Sequence, residues 1–134
     1  MSVEERNIKI VQDAYAANAR GEPAGFTASF TADTEIHEVE SLPYGGVYKG
    51  PEAFPLVIGK VLEHFSALKF TKHNIIASGD NVVAWGDLDL TGKQTGISVT
   101  IPLIEIWTIV DGKTQKLQVV YGDTATALKA AGLN

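Results

Sequence analysis

Residues 97–123 read ISVTIPLIEIWTIVDGKTQKLQVVYGD, two long runs of alternating, β-branched-rich sequence broken only at Asp111-Gly112. A Gly-containing two-residue break between such runs is the signature of a tight hairpin, so the runs pair antiparallel. Upstream the same period continues in LKFTKHNIIA (68–77) and NVVAWGDLDLT (81–91). Those runs are joined at Gly79-Asp80-Asn81, and the next connection is Gly92-Lys93-Gln94-Thr95-Gly96. From Leu68 onward the chain is therefore expected to be a four-stranded meander.

Before Leu68 the period is helical. Ser2 followed by Glu5 is a capping-box pair, and Val3, Ile10, Val11, Ala14, Tyr15 and Asn18 recur on one helical stripe that Gly21 ends. EPAGFTASF predicts a short second helix burying Phe26 and Phe30, and Asp33 hands over to a strand. A third helix is expected after Gly50, with Pro51 and Pro55 in its opening turn and Phe54, Val57, Ile58, Val61, Leu62 and Phe65 as its apolar stripe. The expected architecture is α+β: a curved, mixed or antiparallel sheet, cone-shaped, with three helices from the N-terminal half laid on one face. Such a sheet, only partly filled by helices, leaves a conical cavity.

Composition limits the function classes. The 134 residues make one domain (1–134), 45% hydrophobic and 20% charged, with a formal net charge of −5. Scattered lysines on an acidic chain give no stripe for a phosphate backbone, so no nucleic-acid partner is expected. Cysteine is absent, which removes thiolate and disulfide chemistry. The start MSVEERNIKIVQDAY lacks a secretory pattern and no run approaches a membrane span, so the expectation is a soluble, cytoplasmic protein without membrane association.

Two carboxylates stand out. Glu38 in TEIHEVESLPYGG and Glu105 in IPLIEIWTIVDGK sit at strand positions beside large apolar neighbours. Glu105 shares a face with Leu103, Trp107 and Ile109, where an unpaired charge is expensive. The structural alternative for Glu105 is an ion pair or hydrogen bond to a side chain of the first helix, and for Glu38 an exposed edge position. As chemistry, such a pair suits proton abstraction next to a carbonyl, which needs a base poised near neutral pH and a donor aimed at the enolate oxygen. Burial and like-charge repulsion raise carboxyl pKa values and supply both states. The histidines, His37, His64 and His73, are separated and have no zinc spacing, so no metal and no other cofactor is expected. Nucleophile-elbow and dinucleotide motifs are absent, and Arg6 and Arg20 are the only arginines.

The order of elements, the AYAANARGE helix end, the LPYGGVYKGPEAF loop entering a helix, and the final WTIVDGK…LQVVYGDTATAL together resemble the nuclear transport factor 2-like superfamily, in its SnoaL-like and ketosteroid-isomerase-like branches. The resemblance implies a cystatin-like α+β barrel and a cofactor-independent isomerase, cyclase or dehydratase acting on a small apolar carbonyl compound. The alternative in the same fold is a non-catalytic ligand-binding or dimerisation domain. Carried over by position, Glu38 takes the general-base place, Glu105 that of a protonated acid in the oxyanion hole, and Tyr15 that of a helix-1 tyrosine beside it. The neutral-acid logic is that of ketosteroid isomerase, in which a carboxylic acid kept protonated at neutral pH donates a hydrogen bond. Trp107, Tyr121, Val119, Asp123, Phe54 and Ile58 are expected to contact substrate, with Tyr44 on a rim or lid. A homodimer is also expected, because ISVTIPLIEIW is apolar on both faces.

Overall fold

A computed structural model describes residues 1–133 and runs α1 (Val3–Ala19), α2 (Pro23–Phe26), β1 (Phe30–Glu38), β2 (Gly46–Lys49), α3 (Ala53–Val61), β3 (Phe65–Ser78), β4 (Asn81–Gly92), β5 (Ser98–Val110), β6 (Lys113–Tyr121) and α4 (Thr124–Ala130). The expected α+β architecture is present. Its six strands form one curved, unclosed sheet in the order β2-β1-β6-β5-β4-β3. Strands β3 to β6 are the antiparallel meander. Strand β1 joins β6 in parallel and carries β2 antiparallel on its outer edge, so the sheet is mixed.

Local sequence explains the ends of these elements. The Ser2 hydroxyl accepts from the Glu5 amide and the Glu5 carboxylate from the Ser2 amide, both at 3.0 Å, closing the capping box. Both Asp111 and Gly112 hold positive φ, 49° and 76°, as a two-residue hairpin turn between right-twisted strands demands. Pro55 sits in the first turn of α3, where it interrupts no helical hydrogen bond.

Four features differ from the sequence expectation. Strand β1 begins at Phe30, ahead of Asp33, and α2 is a single turn that ends at Phe26. Phe65 opens β3 rather than closing α3, which stops at Val61. Residues 46–49 pair with β1 as a short strand, too brief to show alternation. The chain ends in a fourth helix, α4, so the helices are not confined to the N-terminal half.

Strand register builds the inner face in layers. Val82, Trp107, Leu117 and Ile36 lie side by side on β4, β5, β6 and β1, each at most 1% exposed. One step along the strands, Ala84 pairs with Glu105 and Glu105 with Val119, and Glu38 follows the His37–Gln118 pair on the far side of β6. The next step pairs Gly86 with Leu103 and Leu103 with Tyr121. Along α1, Asn7, Val11, Ala14 and Ala17 face the core, while Val3, expected on that stripe, is 45% exposed. The opposite, convex face carries Val83, Trp85, Ile104, Ile106 and Val120 in adjacent register, with Ile76 53% exposed beside them. No helix of the described residues is long and apolar enough to cross a membrane.

Gly86 tests the tightness of the β3–β4 ladder. A Cβ there would collide with the Thr71 carbonyl oxygen and the Lys72 backbone, which cannot swing aside as a side chain could. Gly86→Ala is expected to destabilise the fold by about 1–3 kcal/mol, the usual cost of overpacking. Urea denaturation followed by circular dichroism checks this, with a lowered midpoint and unchanged slope.

Candidate active site

Three adjacent strands set the site. Glu105 on β5 and Glu38 on β1 flank Val119 on β6, and their backbones stand two inter-strand spacings apart, roughly 10 Å. Both carboxyls line one cavity of about 1030 Å³, as do Tyr15, Tyr121 and Val119. The two acids therefore lie in the wall of one cavity.

Burial dominates their electrostatics. Desolvation, reinforced by the negative charge of Glu105, pushes the Glu38 carboxyl up to about 8. Its Oε1 is buried and has no hydrogen-bond partner among the described residues. Desolvation also raises Glu105, opposed by a hydrogen bond from Tyr15. Among the described residues no cation offsets either acid: the other charged residues along the cavity, Lys69 and Lys72, are exposed on β3 at the mouth.

Glu105 is held by a hydrogen-bonded series. The Trp107 indole Nε1 donates to the Tyr15 hydroxyl at 3.1 Å, and that hydroxyl donates to Glu105 Oε1 at 2.6 Å. Desolvation and the Glu105 charge raise the Tyr15 phenol well above its ordinary range, so it stays a proton donor. This is the hydrogen bond to a helix-1 side chain that the structural alternative foresaw, and it leaves Glu105 in the cavity wall. It also revises the part expected of Tyr15, whose single proton is committed to Glu105 rather than free for a ligand oxygen. A second pair closes the other end of the floor. The hydroxyls of Tyr121 and Tyr44 lie 2.7 Å apart, and burial raises both phenols.

Three residues expected to touch substrate lie outside the cavity wall. Trp107 is fully buried behind Tyr15, because its strand position falls one layer below Glu105. Tyr44 is 1% exposed and packed behind Tyr121, so it braces the floor and is no lid. Asp123 is exposed and serves as the N-cap of α4, accepting from the Thr126 amide and hydroxyl. Phe54 and Ile58 do line the cavity, with Phe54 stacked on Phe26 at 4.1 Å between ring centroids. None of the histidines lines the cavity: His37 bonds to Glu35, His73 bonds to Asp87, and the His64 ring lies 6.4 Å from that of Tyr44. Among the described residues no three histidine, aspartate or glutamate side chains gather as a metal ion would require.

The wall contains residues that the sequence reading did not place in contact with a ligand. Leu88 and Leu103 face inward from β4 and β5, and their alternation with exposed neighbours was the available signal. The mouth is rimmed by exposed residues of α1, α3 and β3, among them Asn18, Pro55, Gly59, Leu62 and Lys72. Gly59 lies within α3, where glycine costs about 1 kcal/mol relative to alanine.

Known proteins share both the sequence pattern and this architecture. A family model described as a SnoaL-like domain matches residues 11–116. No curated protein matches the chain. Among solved structures, a nuclear transport factor 2-like protein of unknown function from Burkholderia pseudomallei is 24% identical over 98% of each chain, with a TM-score of 0.86. TerC, co-crystallised with polyporic acid, is 22% identical, covering 95% of this chain and 98% of its own at a TM-score of 0.86. A SnoaL-like polyketide cyclase from Jannaschia sp. CCS1 is 17% identical over 100% of this chain and 97% of its own, with a TM-score of 0.78. These likenesses carry the fold, and with the family match across most of its length the chain belongs to the SnoaL-like domain family, within the nuclear transport factor 2-like superfamily.

Proposed function

We propose that the protein is a cofactor-independent acid/base enzyme of the isomerase, cyclase or dehydratase type, acting on an apolar carbonyl compound bound in the cavity. The observation that carries this reading is that Glu38 and Glu105 line one cavity while no cation among the described residues pairs with either. Glu38, at about 8, is poised to take a proton from the carbon next to a carbonyl and return it elsewhere on the same skeleton. Burial raises Glu105, whose Oε1 accepts from Tyr15; in its protonated form the second oxygen is left to donate to the developing enolate oxygen. Tyr15 and Trp107 then position Glu105. The apolar walls exclude water and strengthen these interactions. TerC, of the same fold, was crystallised with an organic acid, which supports a ligand-holding role for such a cavity.

Turnover is the direct test. Across a panel of unsaturated ketones, kcat/KM is expected to rise as pH approaches about 8, where Glu38 ionises, and to fall again where Glu105 loses its proton, a bell-shaped profile. Glu38→Gln is expected to lower it by roughly 10²–10⁴-fold, the usual contribution of a positioned base. Absence of turnover in the wild type, with ligand affinity unchanged by Glu38→Gln, would leave a non-catalytic binding domain.

Linkage gives a second expectation that needs no substrate. Glu38 has its folded pKa raised from 4.5 to about 8, so the folded state binds more protons between those values. Its contribution to stability is fully present below pH 4.5, declines as pH rises through 8, and is then constant. Glu38→Gln is expected to flatten this part of the profile, making the variant the more stable protein above about pH 8 by an amount on the order of a few kcal/mol. Thermal melts from about pH 5 to 9, spanning most of that window, compare the two slopes.

We also propose that the convex face seats a second copy of the chain. Val83, Trp85, Ile104, Ile106 and Val120 make a contiguous apolar patch that no element among the described residues covers. Light scattering is expected to give twice the 14.3 kDa chain mass, and Ile104→Asp to return the monomer.

A further inference from the structure

Gly59 is a glycine without a packing reason. Where a glycine permits close approach, a Cβ would strike a neighbour: at Gly25 it meets the Ala17 side chain, and at Gly92 the Ala130 carbonyl. At Gly59 a Cβ would meet nothing within 4 Å. Nor does the backbone require glycine, since Gly59 is helical and absent from the positive-φ positions. The helix thus carries a weak helix former where any L-residue fits.

What adjoins the position is the cavity mouth. Gly59 is exposed and lines the cavity, as do Pro55 four residues before it and Leu62 three residues after it. That spacing puts the three on one helical face, so Gly59 is a notch between two side chains on the rim. Below the notch, Ile58, Val57 and Val61 continue the apolar wall toward the carboxyl floor. The cavity's 1030 Å³ lies at the upper end of the range for ligand sites, more than a single small ring fills.

We propose that Gly59 is the specificity-determining position of the cavity, keeping open a notch through which the far end of an elongated apolar ligand leaves while its carbonyl end lies at Glu38 and Glu105. This rests on the acid/base reading for the orientation of the ligand. The corresponding substrates are molecules with a neutral, enolisable head and a long apolar body. A side chain larger than methyl at position 59 shortens the ligand that fits without touching the acids.

The test uses two probes, 2-naphthol and 2-naphthol bearing a ten-carbon alkyl chain on the ring remote from the hydroxyl, titrated by fluorescence into wild type, Gly59→Ala and Gly59→Leu. The wild type is expected to bind the long probe at least tenfold more tightly than the short one. Gly59→Leu is expected to lose tenfold or more on the long probe and less than threefold on the short one. Gly59→Ala is expected to keep both affinities within threefold and to raise Tm by about 3–5 °C, as a better helix former without new contacts does. Equal weakening of both probes by Gly59→Leu, undiminished binding of the long probe, or a lowered Tm in Gly59→Ala would overturn the proposal. Glu38→Gln separates the two readings. If short-probe affinity steps near pH 8 in the wild type and is flat in Glu38→Gln, the acid site stands and a failure at position 59 belongs to the notch alone. If that step is missing, the acid/base reading fails by itself.

Discussion

The pairing of β5 with β6 and of β6 with β1 is the constraint on which the site depends. It sets Glu105, Val119 and Glu38 on one line across the inner face. Strand alternation makes this placement all-or-none, since a one-residue slip would send both carboxyls to the convex face and bring Ile104, Ile106 and Val120 inward. The fully buried layer of Val82, Trp107, Leu117 and Ile36 below them opposes such a slip, because its hydrophobic contacts exist in only one register. Packing energy in that layer thus fixes the geometry of polar groups one step above it.

The electrostatics follow from what is missing around those groups. Carboxylates inside proteins are ordinarily paired with a cation, which lowers their pKa. Here the lysines along the cavity are confined to its mouth, and the group bonded to Glu105 is a neutral phenol. Burial is then opposed only weakly, and both acids shift upward. The Trp107–Tyr15–Glu105 series fixes the direction of the hydrogen bonds as well as their lengths. An indole can only donate, so the tyrosine oxygen that receives it turns its own proton onward to the carboxyl.

Much of this was legible in the sequence, for identifiable reasons. The meander could be read because four long strands alternate cleanly and their turns carry glycine, and the α1 start because Ser2 and Glu5 form a recognisable pair. Glu38 and Glu105 were visible as charges at positions that alternation assigns to the apolar face. Short elements were not legible: β2 spans four residues and α4 seven, fewer than a period needs to declare itself. Asp123 held the signal for α4, an N-cap aspartate ahead of Thr126, but the same residue type suits a pocket wall. The depth of Trp107 and Tyr44 depends on contacts between distant segments, as does the open space at Gly59.

The parallel seam between β1 and β6 has a temporal meaning as well as a spatial one. Ile36 meets Leu117 across a long stretch of intervening chain, whereas every other pairing in the sheet joins strands adjacent in sequence. Closing so long a loop is slow and is compensated only once the meander already offers β6 as a template. In chain order Glu38 is made early, and the strand that flanks it, β6, is the last of the six. The environment that raises the Glu38 pKa therefore needs both ends of the chain, and a chain truncated before residue 113, where β6 begins, would contain both glutamates without the strand that lies between them.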